Sequence, residues 1–117
     1  MFTIKKNKNS NNCNYGGIYM TFLDDKMPEA SKAFGDMRSA IFRANALDIK
    51  TKELIAVASA VLMRCEKCVK IHSERAKENG ATEDEIAESI SIAMFIAAGS
   101  QLHWTDAYDE ILDGTEE

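Results

Sequence analysis

DIKTKELIAVASAVLMRCEKCVKIHSERAKENGATEDEIAESISIAMFIAA, residues 48–98, reads as three consecutive helices, and this reading decides the fold. Asp48 stands where an N-cap belongs, ahead of Leu54, Ile55, Ala58, Val61 and Leu62, which recur at helical spacing. Ala56, Ser59 and Ala60 add small surfaces that permit close helix packing. A break is expected near Arg64–Glu66, although no turn residue marks it. The next helix should run from about Lys67 to Asn79 and stop at Gly80 in the C′ position. Thr82-Glu83-Asp84-Glu85 is a capping box: the Thr82 oxygen accepts the Glu85 N–H while the Glu85 carboxylate reaches back. It opens a helix carrying Ile86, Ile90, Ala93, Met94 and Ala97. Ile92, Phe95 and Ile96 make its second half apolar on nearly every side, the mark of a helix covered by the domain or by another subunit.

Outward from this block the pattern stays helical. Pro28 suits a first helical turn, where its missing N–H costs nothing. Behind it Ala30, Phe34, Met37, Ile41 and Leu47 approximate an amphipathic stripe, weakened at Gly35. On the other side, Gly99 should end the long helix. Ser100 should then cap a last one with Leu102, Tyr108, Ile111 and Leu112 on its face. No alternating strand pattern occurs. The fold expected is all-α, a bundle of about five helices.

A chain of 117 residues and 13.0 kDa holds one domain. Residues 1–19, MFTIKKNKNSNNCNYGGIY, read as a poorly ordered extension rich in Asn, Ser, Lys and Gly, and residues 20–117 as the domain. The composition changes at Met20, which makes that residue a candidate start of translation; Cys13 is then a bystander in the extension. So small a bundle buries so little of its surface that a monomer would be marginal, so a homo-oligomer is expected, with the apolar helix as its contact.

Charge excludes several function classes. The net charge is −5, yet Lys5, Lys6 and Lys8 lie in a segment without acids, so the body of the chain is more acidic still. An acidic body disfavours nucleic acid, whose phosphates require clustered Lys and Arg. No run approaches the ~18 apolar residues of a membrane span, and no apolar segment follows the N-terminal lysines as in a signal peptide. A cytoplasmic location is therefore expected. There a Cys-x-x-Cys is redox-active or metal-binding more often than structural.

The chemistry concentrates in Cys65-Glu66-Lys67-Cys68-x-x-x-His72. Cys68 and His72, four apart, are neighbours on one helix face, and Cys65 precedes Cys68 by one turn. If the helix begins near Cys65, both thiols lie at its positive end, beside Arg64, Lys67 and Lys70, where a thiolate is favoured. The spacing also allows the pair to close into a disulfide. His72 can take the Cys68 proton, or stand as imidazolium beside its thiolate. Glu53 is the candidate to orient His72. In an antiparallel hairpin pivoting near residues 64–65 the two are offset by about four residues, or ~6 Å along the axis. The offset is compatible with a direct or water-mediated contact, and equally with Glu53 as an ordinary first-turn carboxylate.

Taken together, Thr51-Lys52-Glu53-Leu54-Ile55-Ala56, Cys65-x-x-Cys68-x-x-x-His72 and Gly80-Ala81-Thr82-x-x-Glu85-Ile86-x-Glu88 resemble the carboxymuconolactone decarboxylase superfamily. The similarity is to its alkyl hydroperoxidase D-like (AhpD-like) branch, which carries the redox Cys-x-x-Cys, and it spans roughly residues 27–113. The resemblance implies an all-helical bundle assembled into trimers or hexamers. It implies that Cys68 attacks peroxide, that Cys65 resolves, and that Glu53 and His72 form the proton relay. The activity implied is that of a thiol peroxidase of antioxidant, peroxiredoxin-like type, or of a disulfide oxidoreductase. A lipoyl or thioredoxin-like dithiol would be its reductant, with no cofactor or metal. The decarboxylase branch lacks this cysteine pair, so the superfamily's name is not an activity here. One position departs. Lys67 stands where the best-known peroxidase members place a second histidine, and lysine favours a thiolate without shuttling protons near neutral pH.

Two other readings compete. Cys65, Cys68 and His72 are zinc-ligand types, with His103 or Cys13 as a fourth, although no second ligand pair exists. Alternatively the cysteines pack as small hydrophobes in a non-catalytic helical module. His103-Trp104 reads as a helix-start histidine beside a core tryptophan, or as a pocket rim or subunit contact. Met63, Met94 and the phenylalanines read as core and interface packing.

Overall fold

A computed structural model describes residues 21–112; the expected extension, its boundary at Met20 and Cys13 lie outside the described residues. All regular structure among the described residues is helical, in six helices: α1 (Thr21–Lys26), α2 (Pro28–Phe42), α3 (Ile49–Leu62), α4 (Glu66–Glu78), α5 (Glu83–Trp104) and α6 (Ala107–Leu112). The all-α expectation holds. The short α1 was not foreseen, being too brief for a period to show. Among the described residues the chain divides into two compact units, one ending at Arg43 and the other beginning at Ala44.

In the first unit, Pro28 opens α2 as expected, behind Met27, which offers no side-chain cap. The buried residues of α2 are Ser31 and Gly35, one turn apart, and the Ser31 hydroxyl donates to the Asp24 carboxylate of α1. Gly35, read from sequence as a weak point, is thus on the packed face. The stripe expected to be core is not: Phe34, Met37 and Ile41 are exposed, and Leu47 lies beyond the helix, past the C-cap Arg43. Periodicity locates an apolar face but does not say what covers it.

In the second unit, α3 packs against both α4 and α5, while α4 and α5 touch little. Val57, Ala76, Ala81 and Ile86 form the core, with Leu54 and Ile90 packed against it. Asp48 caps α3 as read, accepting the Thr51 N–H at 2.7 Å, which holds its carboxyl below the usual range. The capping box is formed: Glu85 N–H donates to Thr82 Oγ1 at 3.1 Å and Thr82 N–H to Glu85 Oε1 at 3.3 Å. Glu85 Oε2 also meets Lys50 Nζ at 2.9 Å, fastening the start of α5 to the start of α3.

Gly80 ends α4 as expected. At φ 92° it lets Ala81 N–H reach Ala76 O at 2.8 Å and Gly80 N–H reach Lys77 O at 3.0 Å, a Schellman closure. A Cβ there would meet nothing within 4 Å, so the glycine serves the backbone angle and not a close approach. Gly80→Ala is therefore expected to cost about 1–2 kcal/mol, the price of a left-handed L-residue, and Gly80→Asn less. Chemical denaturation of the three proteins checks this; an Ala variant as stable as wild type would refute it.

The expectation that Gly99 ends the long helix is incorrect. α5 continues through Gly99 and Ser100 to Trp104, a length of 22 residues. A glycine inside a helix costs only about 1 kcal/mol, which the uninterrupted hydrogen-bond ladder absorbs. The stop comes instead at Thr105, whose N–H turns back to Gln101 and Leu102. Trp104 is 81% exposed and not a core residue, and Met63, Met94 and Phe95 are exposed as well. His103 lies in the last turn of α5, not at a helix start, with Nδ1 3.9 Å from Asp106 Oδ2. No helix among the described residues is long and apolar enough to cross a membrane.

Candidate functional site

The site is built on the turn between α3 and α4. Arg64 adopts φ 54°, so Cys65 N–H reaches Ala60 O at 3.0 Å and Arg64 N–H reaches Val61 O at 3.1 Å. This is a second Schellman closure, with arginine in the position glycine usually takes. That explains why the sequence shows a break without a turn residue. Cys65 follows at once as the N-cap of α4, its Sγ accepting the Cys68 N–H at 3.2 Å. One residue therefore ends α3 through its backbone and begins α4 through its sulfur.

Cys65 and Cys68 are joined as a disulfide, S–S 2.05 Å with Cα atoms 5.2 Å apart. Both residues are half-buried. Around them Arg64 and Lys67 are exposed, and Lys70 pairs with Glu66 at 3.2 Å on the surface. The helix thus starts at Glu66, where it was expected within a residue, with Cys65 at its N-cap and Cys68 in its first turn.

His72 lies one turn beyond Cys68 on α4, and its Nδ1 is 2.6 Å from Glu53 Oε2 on α3. Glu53 is 2% exposed and His72 4%, in a unit whose other buried residues are mainly alanines, Val57 and Ile86. The four-residue axial offset is taken up by two long side chains, and the contact is direct. Glu53 is not the solvated first-turn carboxylate that spacing alone allows. Burying a carboxylate is costly unless it is paired, and the imidazole meets that requirement. A carboxylate at Glu53 accepts from Nδ1–H, which leaves Nε2 as the basic nitrogen of His72.

All four candidate residues thus fall on the α3–α4 hairpin, as two bonded pairs: Cys65 with Cys68, and Glu53 with His72. Among the described residues, no group of three or more His, Cys, Asp or Glu is placed to hold a metal ion. His103 is remote in sequence, at the far end of α5.

Two features escaped sequence reading. Ser89, buried on α5, donates its hydroxyl to Leu54 O at 2.6 Å, tying α5 to α3 one residue from Glu53. Its only signal is a polar residue at a position in phase with Ile86 and Ala93. The second is an apolar groove of about 410 Å³ between α3 and α5, walled by Leu54, Ile55, Ala58, Leu62, Ile92 and Ile96. None of the four site residues lines it.

Comparison with known proteins places this geometry in context. The profile of the carboxymuconolactone decarboxylase family matches residues 28–108. Uncharacterised protein 4 in the cox locus of Paracoccus denitrificans is 36% identical over 91 residues, covering 66% of this chain and 82% of that protein. An uncharacterised protein of Cupriavidus necator is 35% identical, covering 66% of this chain and 68% of its own length. Among solved structures, a Methanobacterium thermoautotrophicum protein superposes with TM-score 0.70 at 38% identity, covering 74% of this chain and 97% of that one. A Thermotoga maritima structure superposes with TM-score 0.56 at 31% identity, covering 73% and 91%. It is described as a carboxymuconolactone decarboxylase family protein with a possible part in an antioxidative response.

Proposed function

The chain belongs to the carboxymuconolactone decarboxylase family, and from that premise we propose that it is a thiol-dependent oxidoreductase, a peroxidase of the AhpD-like type. The observation that carries the reading is the Cys65–Cys68 disulfide in the first turn of α4, one turn from a buried His72–Glu53 pair. Inert packing of the cysteines would not require a buried carboxylate to orient the imidazole. The antioxidative description of the Thermotoga relative points the same way.

In the reduced enzyme, His72 Nε2 takes the Cys68 proton while Glu53 holds Nδ1–H and offsets the imidazolium charge. The Cys68 thiolate attacks the terminal peroxide oxygen. An S–O bond forms, the O–O bond breaks, and the leaving alkoxide takes the proton back as an alcohol. Cys65 then attacks the Cys68 sulfenic acid, expelling water and forming the disulfide. An external dithiol, lipoyl or thioredoxin-like, supplies two electrons and two protons to restore the thiols. Lys67, exposed beside Cys68, adds positive charge that favours the thiolate.

Adding one equivalent of alkyl hydroperoxide to the reduced protein is expected to consume two thiols and regenerate the Cys65–Cys68 disulfide, as peptide mapping reads. Dihydrolipoamide should then support repeated peroxide consumption. Both thiols surviving excess peroxide would remove the proposal.

Self-association belongs to the same reading. α5 buries only Ile86, Ser89 and Ala93, leaving Ile92, Met94, Phe95 and Ile96 exposed in its apolar second half. A second copy covers this surface, in a trimer or hexamer. Sedimentation equilibrium is expected to give a multiple of 13.0 kDa, and Phe95→Glu a smaller mass. A wild-type monomer at every concentration would contradict it.

A further inference from the structure

Exposure does not distinguish the two sulfurs, since Cys65 and Cys68 are both half-buried. Their hydrogen bonding does. Cys65 Sγ occupies the N-cap of α4 and accepts the Cys68 backbone N–H at 3.2 Å, whereas the Cys68 sulfur belongs to a residue already inside the helix. In the disulfide that acceptor is a neutral sulfur and the bond is weak. On reduction it becomes an anion at the positive end of a 13-residue helix, and a charge-assisted bond replaces a weak one. The exposed guanidinium of Arg64, adjacent in sequence, adds to the same field.

We infer that Cys65 is the resident thiolate of the reduced pair, and that Cys68 is the sulfur that exchanges with external thiols. The inference rests on the thiol–disulfide reading above and deepens it. In exchange, the thiol of lower pKa is the better leaving group. An incoming thiolate RS⁻ therefore attacks Cys68 Sγ. The RS–S(Cys68) bond forms, the Cys65–Cys68 bond breaks, and its electron pair leaves on Cys65. The second thiol of a dithiol reductant then attacks the RS sulfur, closing its own disulfide and releasing Cys68, which takes up that thiol's proton. In the oxidative half, the same Cys65 thiolate attacks the Cys68 sulfenic acid with no proton to lose first: the S–S bond forms, the S–O bond breaks, and the hydroxide leaves as water with a proton from solvent. Cys65 thus acts as an anion in both directions, as leaving group in one and nucleophile in the other.

The donor is a backbone N–H, so it survives replacement of the Cys68 side chain, and the test follows from that. In a Cys13→Ser background, Cys68→Ala leaves Cys65 as the one titrating thiol. Its thiolate absorbance is expected to half-titrate at least about one pH unit below the ordinary ~8.5. In denaturant, where the cap is gone, the value should return to the ordinary one. Equal titration of the folded and denatured variant would overturn the inference.

The second arm uses the oxidised Cys13→Ser protein with glutathione, quenched at short times by N-ethylmaleimide. Peptide mapping should find glutathione on Cys68 and maleimide on Cys65. The reverse pattern would overturn the assignment. Neither arm contains peroxide, so a protein that fails as a peroxidase can still pass both, and a working peroxidase can fail them.

Discussion

Cys68→Ser is expected to lower peroxide consumption with dihydrolipoamide at least about 100-fold, to the rate of the buffer, because serine offers no thiolate at neutral pH. Cys65→Ser should behave differently, and the contrast is the stronger test. With Cys68 intact, the first equivalent of peroxide is still reduced, but the sulfenic acid has no partner thiol one turn away. Without external thiol, turnover should then stop after one equivalent, with Cys68 labelled by dimedone. The fold should tolerate both changes. The helix hydrogen bonds of α4 run through the backbone, and a serine at Cys65 is itself a good N-cap. Equal rates in wild type and Cys68→Ser would remove the mechanism. A Cys65→Ser protein with no single-turnover burst would reassign which sulfur meets the peroxide.

How the hairpin could be read before it was seen depends on which interactions are local. Asp48, Thr82, Glu85 and Gly80 act on backbone groups within a few residues of themselves, and each cap stands where the sequence places it. The α3–α4 turn is also local, but arginine carries no preference for φ 54°, so only the break and not its form was legible. Gly99 shows the opposite failure, a residue with a strong local preference overridden by the ladder around it. Burial was legible least. The stripe of α2 and the flanks of α5 are apolar by period yet exposed on this chain. An apolar face specifies that something covers it and leaves the covering partner open. For the site, spacing gave the Cys-x-x-Cys-x-x-x-His cluster outright, since its members lie within two turns. Glu53 is 19 residues from His72, and spacing alone left its role undecided; the 2.6 Å contact depends on how two helices meet.

That contact carries the other large expectation. Glu53→Gln keeps the side-chain volume in a position 2% exposed, so the hairpin should fold with little loss. The charge is what disappears. A carboxamide does not offset an imidazolium at His72, and its NH₂ group can donate to Nδ1, which selects the tautomer with no lone pair there to spare and Nε2 protonated. Proton removal from Cys68 then loses its base. Peroxide turnover is expected to fall by about 100-fold or more, the usual scale for a positioned general base. Glu53→Leu tests the structural side of the same pair. Removing one member of a buried polar pair costs about 1–3 kcal/mol, because the Nδ1 group loses the carboxylate that met it. In a chain this size that lowers the melting midpoint by roughly 5–20 °C. Replacing both members, Glu53→Leu with His72→Leu, should recover much of that stability, since an apolar pair of similar volume packs without a desolvation penalty. The double variant should nonetheless be as inactive as either single one. Stability restored and activity not restored is the outcome that marks the pair as kept for proton transfer. Full turnover in Glu53→Gln would mean that the carboxylate only fills and fastens the hairpin.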